Sequence, residues 1–173
     1  MTVSRGFPVD PAGSPPAFCG MTAEQKLGKL GIQLPPPPPP AAAYVTWVRS
    51  GNLVFTSGQL PWRNGAILHP GRLGAEVTEA QGYEAARCCA INATAQIKAA
   101  VGDLERVRRI LKIEGYVHAG PGFRGHPKVL NGASDFFNEV FGERGVHVRL
   151  AIGVGEMPFD APIQIMVTAE VSD

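Results

Sequence analysis

The run His147-Val148-Arg149-Leu150-Ala151-Ile152-Gly153-Val154-Gly155, with Ile163-Gln164-Ile165-Met166-Val167 behind it, decides how this chain is read. Both runs alternate as β-strands do, with successive side chains on opposite faces. Val148, Leu150, Ile152 and Val154 share one face, which reads as a core face. Arg149, Ala151, Gly153 and Gly155 share the other, so one long cation stands beside three residues with almost no side chain. A guanidinium with space around it suits a carboxylate, gripped through two parallel hydrogen bonds. The same pattern fits an arginine on a solvated sheet face, where long charged side chains mostly lie.

Upstream, the punctuation supplies the remaining elements. Strand-like runs at residues 45–49 and 53–57 flank Ser50-Gly51-Asn52, a hairpin signal. Residues 62–77 read as a loop. Thr78 with Gln81 marks a helix start, and Tyr83, Ala86, Ala90, Ala93, Ile97 and Ala100 carry a helical period to about Val101, with Gly102 after it. Residues 110–117 form a β-branched strand, 118–126 a loop, and 127–141 a second helix with Pro127 in its first turn. Two strands, 147–155 and 162–171, close the chain. The order is strand, strand, helix, strand, helix, strand, strand, which predicts an α+β fold with two helices on one face of a single sheet. The other face, carrying Arg149, Ala151, Gly153, Gln164, Met166 and Thr168, is too apolar for water, which predicts a symmetric oligomer, dimer or trimer.

Ten of the 16 prolines lie in residues 1–40, so residues 1–41 are predicted to stand apart from a folded domain over 42–173. Within them we expect a disordered tail over 1–20, a short helix from Ala23 to Leu30 started by the Thr22/Gln25 box, and a polyproline spacer at Pro35 to Pro40. Met21 is a candidate functional start. Three cysteines without metal spacing, two of them adjacent (Cys88 and Cys89, one expected to face the core), point to a reducing, cytoplasmic setting without disulfides. The tail leaves organellar targeting open, although Asp10 and the single Arg5 argue against it. A net charge of +1 offers nucleic acid or membrane little attraction. The cluster Arg106, Arg108, Arg109 and Lys112 reads as a solvated face. His69, His118, His126 and His147 show no paired metal spacing, and no metal is expected.

Three stretches resemble the RidA/YjgF family of enamine/imine deaminases, also known as L-PSP endoribonucleases. They are residues 52–61 (Asn-Leu-Val-Phe-Thr-Ser-Gly-Gln-Leu-Pro), residues 128–131 (Lys-Val-Leu-Asn) with Phe136-Phe137, and Val148-Arg149-Leu150-Ala151 through Met157-Pro158 to Ile163-Gln164-Ile165. The resemblance spans residues 42–172, and the proline spacer resembles one subgroup. It implies a chorismate-mutase-like fold, a homotrimer with a central β-barrel, and ligand sites in the clefts between subunits. It further implies that Arg149 holds the carboxylate of a 2-imino acid, and that Tyr44 closes the pocket from a neighbouring subunit. Ser57 and Gly58 would form its small walls and Asn131 would stand at the same cleft. Read without the family, Ser57 and Gly58 are a strand end, Asn131 a helix polar face, and Tyr44 a hairpin anchor.

Two positions depart from the family pattern. Gln164 stands where the family has a glutamate, and Ala151 stands where many relatives have cysteine. A glutamine can hold a water but cannot take its proton. The implied reaction is hydrolysis of 2-aminoacrylate-like imines to 2-keto acids and ammonia, with Arg149 and Gln164 as catalytic residues and no cofactor. A carboxylate-binding or regulatory trimer without turnover is the second expectation, and RNA cleavage the third.

Overall fold

The computed structural model describes residues 20–37 and 43–173. The tail over 1–19 and the end of the proline run lie outside the described residues. The elements are α1 (Ala23–Lys29), β1 (Trp47–Ser50), β2 (Leu53–Thr56), β3 (Trp62–Arg63), β4 (Ala66–Ile67), α2 (Glu79–Val101), β5 (Val107–His118), α3 (His126–Phe141), β6 (Val148–Val154) and β7 (Ile163–Val171). The loop expected at 62–77 therefore contains a small hairpin, β3–β4. The main sheet is ordered β1-β2-β7-β5-β6. All its neighbours are antiparallel except β5 and β6, which run parallel because α3 carries the chain back between them.

Both long helices lie on one sheet face, as expected. The start of α2 is a complete capping box: the Thr78 hydroxyl accepts from the Gln81 backbone N–H, and Gln81 returns the bond to the Thr78 backbone. Its buried face is built from alanines, Gly82, Cys89 and Ile97. Small residues let α3 approach closely: a Cβ on Gly132 of α3 would overlap the Tyr83 carbonyl of α2. Phe136, Phe137, Val129 and Leu130 fill the space between α3 and the sheet. Both cysteines of α2 are buried, not one, and burial pushes both thiols up, furthest for Cys89.

The packed unit also begins earlier than Tyr44. Helix α1 opens with its own capping box on Thr22 and Gln25, and Ala23 and Leu27 join the main core. The Ala23 N–H donates to Glu105 Oε1 at 2.8 Å, and Lys98 pairs with Glu24 at 2.7 Å. His118, expected in a loop, is instead the buried last residue of β5.

The faces of β6 are the reverse of the sequence expectation. Arg149, Ala151 and Gly153 face the helices, whereas Val148, Leu150 and Ile152 point away from the core, 67%, 39% and 40% exposed. The small residues of this region make room for α3. A Cβ on Gly153 would overlap His126 Nε2 and one on Gly115 would overlap Leu130, while Ser134 meets Arg149 at 3.0 Å. Residues 126, 130 and 134 lie one helical turn apart, so a single face of α3 lies along β5 and β6. Hydrophobic alternation shows that β6 has an apolar face. It does not tell whether that face meets the core or another surface.

The sheet face away from the helices is consequently apolar. Across it run three cross-strand rows: Val48–Phe55–Thr168–Lys112–Val148, Met166–Glu114–Leu150 and Gln164–Tyr116–Ile152. Within this field Lys112 and Glu114 pair with each other at 2.9 Å. An exposed apolar sheet face of this kind marks an interaction surface.

Candidate functional site

The seven predicted site positions fall into two groups. Tyr44, Ser57, Gly58 and Gln164 line one cavity of about 410 Å³, together with Thr46, Leu60, Trp62, Pro158 and Phe159. Asn131, Arg149 and Ala151 lie elsewhere, at the β6 edge beneath α3.

The cavity is held from behind. The Ser57 N–H donates to the Thr46 carbonyl at 2.8 Å, and Gln59 Nε2 reaches both the Ser57 carbonyl and Oγ at 3.1 Å. A buried asparagine of α2, Asn92, donates from Nδ2 to the carbonyls of Leu60 and Trp62 at 2.9 and 3.1 Å, pinning the loop that forms the back wall. Gln164 lies directly over Gly58, where a Cβ would overlap its Nε2 and Cδ. The glycine therefore clears the place the amide occupies. Gly58→Ala should displace Gln164 without backbone strain. The expected result is an unchanged melting temperature with turnover lowered at least about tenfold, checked by calorimetry and steady-state kinetics.

The second group centres on Arg149. Its Nη1 donates to Asn131 Oδ1 at 2.8 Å and to Ser134 Oγ at 3.0 Å. Both Nη1 protons are thereby committed, and among the described residues no hydrogen bond engages Nε or Nη2. That edge of the guanidinium, with two parallel N–H vectors, is the one that matches a carboxylate. Behind it stands His147, whose Nδ1 lies 2.6 Å from the Gly145 carbonyl and whose Nε2 lies 3.1 Å from Ser134 Oγ. A carbonyl only accepts, so Nδ1 carries the proton and the neutral ring leaves Nε2 bare. Ser134 then donates to Nε2 while accepting from Arg149. The chain of bonds fixes the serine oxygen as an acceptor for the arginine.

Three comparisons with known proteins bear on this geometry. Residues 24–171 match the family model described as "YjgF/chorismate_mutase-like, putative endoribonuclease". The chain belongs to the YjgF/chorismate-mutase-like family. It is 42% identical over 148 residues to Protein TCP17 of Trypanosoma cruzi, covering 85% of this chain and 92% of that one. Atu1372 of Agrobacterium tumefaciens, a protein of unknown function, is 42% identical with a TM-score of 0.81, covering 87% of this chain and 92% of that one. A Shewanella oneidensis protein bearing the same endoribonuclease description is 37% identical with a TM-score of 0.85, covering 87% and 99%.

Trimers are typical of the YjgF family, and the two separated groups are what a divided site requires. Gln164 is on β7 and points to the open face; Arg149 is on β6 and points to the helix face. Two strand spacings, about 10 Å, separate the strands, and the sheet itself lies between the side chains. A small ligand held by both must therefore draw them from two subunits. Tyr44 lines the cavity of its own chain beside Gln164, so it neighbours Arg149 only across such an interface.

Sequence reasoning passed over Ser134 and His147, although a signal existed. Ser134 lies three residues after Asn131 on α3, and His147 lies two before Arg149 on one strand face. Trp62 and Phe159 were also missed, because they come together only through the fold, with ring centroids 5.2 Å apart. Among the described residues no three His, Cys, Asp or Glu side chains gather as a metal site. No described helix is long and apolar enough to cross a membrane.

The bonding around His147 has a pH consequence. Burial lowers its pKa from the ordinary 6.5; the Gly145 carbonyl opposes this and the nearby Arg149 charge adds to it. The unfolded chain then binds more protons than the folded one as pH falls through 6.5. The contribution of His147 to stability is complete above 6.5 and is lost as pH falls toward the lower, folded value. Wild-type melting temperature should therefore drop from pH 7 to pH 5 more steeply than that of His147→Asn. Equal slopes in a calorimetric pH series would refute this.

Proposed function

We propose that the protein is an enamine/imine deaminase that hydrolyses 2-imino acids to 2-keto acids and ammonia in a homotrimer. The observation that carries the reading is the exposed Arg149 guanidinium: Nη1 is saturated by Asn131 and Ser134, and among the described residues no hydrogen bond engages Nε or Nη2. In the proposed trimer that edge receives the substrate carboxylate, with the imine carbon over the Gln164 cavity of the adjacent subunit. Gln164 orients a water through its amide. The water oxygen bonds to the imine carbon while a proton reaches the imine nitrogen. Ammonia then leaves as the carbinol proton is lost, giving the keto acid. Such imines hydrolyse unaided, so positioning accounts for the acceleration.

One observation favours a second reading, a carboxylate-binding trimer without turnover: Gln164 cannot take a proton from water at neutral pH. RNA cleavage, suggested by the description of the family, has less support, because a net charge of +1 offers the phosphate backbone little grip. The deciding experiment follows the decay of 2-iminopropionate generated in situ by an amino-acid oxidase. Faster decay with the protein supports the deaminase. Unchanged decay with a folded trimer that still binds pyruvate supports the binding reading.

A further inference from the structure

The wall of the Gln164 cavity is unusual in the cost of its construction. Phe159 is 61% exposed and sits at φ 58°, ψ 24°, a left-handed conformation disfavoured for a bulky side chain. Asp160 next to it also has positive φ, 54°. Backbone in such regions persists only where surrounding contacts enforce it, and it gathers at ligand sites. Here the contacts are specific. The Gly71 N–H donates to the Asp160 carbonyl at 2.7 Å, and the Asp160 N–H to the Met157 carbonyl at 3.1 Å. Buried His118 donates from Nε2 to the Gly155 carbonyl at 3.1 Å, holding the start of the same loop.

What this strain achieves is the position of one ring. Phe159 meets Trp62 edge-on, at 5.2 Å between centroids and 66° between planes. Trp62 is itself fixed through its carbonyl by Asn92. The two rings, with Tyr44, Leu60 and Pro158, line the cavity of about 410 Å³ that also holds Ser57 and Gln164. That volume is in the range of pockets for ligands much larger than 2-iminopropionate, roughly 300–1,000 Å³.

We infer that this cavity is a side-chain subsite for a bulky apolar group, so that the preferred substrate is a 2-imino acid with an aromatic or large aliphatic side chain rather than 2-aminoacrylate. The inference rests on the imino-acid reading for the identity of the head group. The carboxylate lies on Arg149 across the subunit boundary, the reacting carbon over Gln164, and the side chain against Phe159 and Trp62. Rings meeting edge-on leave their faces for an aromatic guest.

The test is calorimetric titration of the full-length protein with phenylpyruvate and with pyruvate, stable keto-acid products of the two classes. Wild type should bind phenylpyruvate at least about tenfold more tightly. Phe159→Gly should bring the two affinities within about threefold while its melting temperature does not fall, since glycine accepts the left-handed backbone. Phe159→Leu should keep most of the preference. Near-equal affinities in wild type, undetectable binding of both acids, or a preference untouched by Phe159→Gly would each overturn the inference. Retention of the preference with no hydrolysis of any imine would uphold the subsite and remove the deaminase reading instead.

Discussion

Replacing Arg149 with alanine should lower the acceleration of imine decay by at least about a hundredfold and leave the fold intact. The guanidinium edge presents two parallel donors to a carboxylate, and a charge-assisted hydrogen bond contributes roughly 1.5–3 kcal/mol. Losing the pair removes about 3 kcal/mol of binding, about two powers of ten in kcat/KM. Stability should change by less than about 1 kcal/mol, because Arg149 is exposed on the edge strand and water can replace it at Asn131 and Ser134. Arg149→Lys should recover less than a tenth of the lost rate. A single ammonium cannot reach Asn131 and Ser134 while presenting a planar fork to the ligand. Steady-state kinetics with both variants, beside their melting curves, check the expectation.

Leu150→Asp should have an equally large effect by another route. Leu150 stands at the β6 end of the middle one of the three rows across the open sheet face, next to Glu114, with Met166 beyond it on β7. In the proposed trimer that row lies against the neighbouring subunits, and symmetry repeats the change three times. A carboxylate placed in an apolar interface without a partner costs at least about 3 kcal/mol per subunit. Sedimentation should find a single chain of 18.3 kDa in place of the trimer. Turnover should vanish with assembly, because Arg149 and the Gln164 cavity would no longer meet. The isolated subunit should stay folded, since its core lies between the sheet and the helices and does not include Leu150. An active monomer would refute the divided site.

These expectations show which features the sequence carries and which it does not. Local signals were legible because they are local. Thr78 with Gln81 and Thr22 with Gln25 start helices where they stand, and Gly51 turns the first hairpin at positive φ. The β6 alternation was legible as a strand but misleading as to its faces. Leucine, isoleucine and valine are equally suited to a core and to a subunit interface, and only the register of β6 on β5, with α3 above Gly115 and Gly153, distinguishes the two. The sheet keeps an exposed apolar face after that reversal, with Val148, Leu150 and Ile152 on it.

Of the candidate site, the strand pattern pointed to Arg149, and the family resemblance added Gln164, Tyr44, Ser57, Gly58, Asn131 and Ala151 separately. Their division into two groups is a property of the sheet. Strand order puts β5 between β7 and β6, and pleating sends Gln164 and Arg149 to opposite faces. The supporting residues belong to the same class of information. Ser134 matters because α3 lies along β6, and Asn92 matters because the loop after β2 folds beneath α2. Ser134 stands one helical turn after Asn131, a spacing the sequence shows, whereas the Asn92 contact does not follow from spacing along the chain.

In the proposed trimer one catalytic site takes Arg149 from one subunit and the Gln164 cavity from its neighbour. The measurement is imine turnover by a reassembled equal mixture of two impaired variants, Arg149→Ala and Gly58→Ala, beside each variant alone. In randomly mixed closed trimers, about a quarter of the interfaces join an intact arginine to an intact cavity. Imine turnover, at most about a tenth of wild type in either variant alone, should rise to about a quarter of the wild-type value in the mixture. A mixture no more active than its components would contradict the divided site.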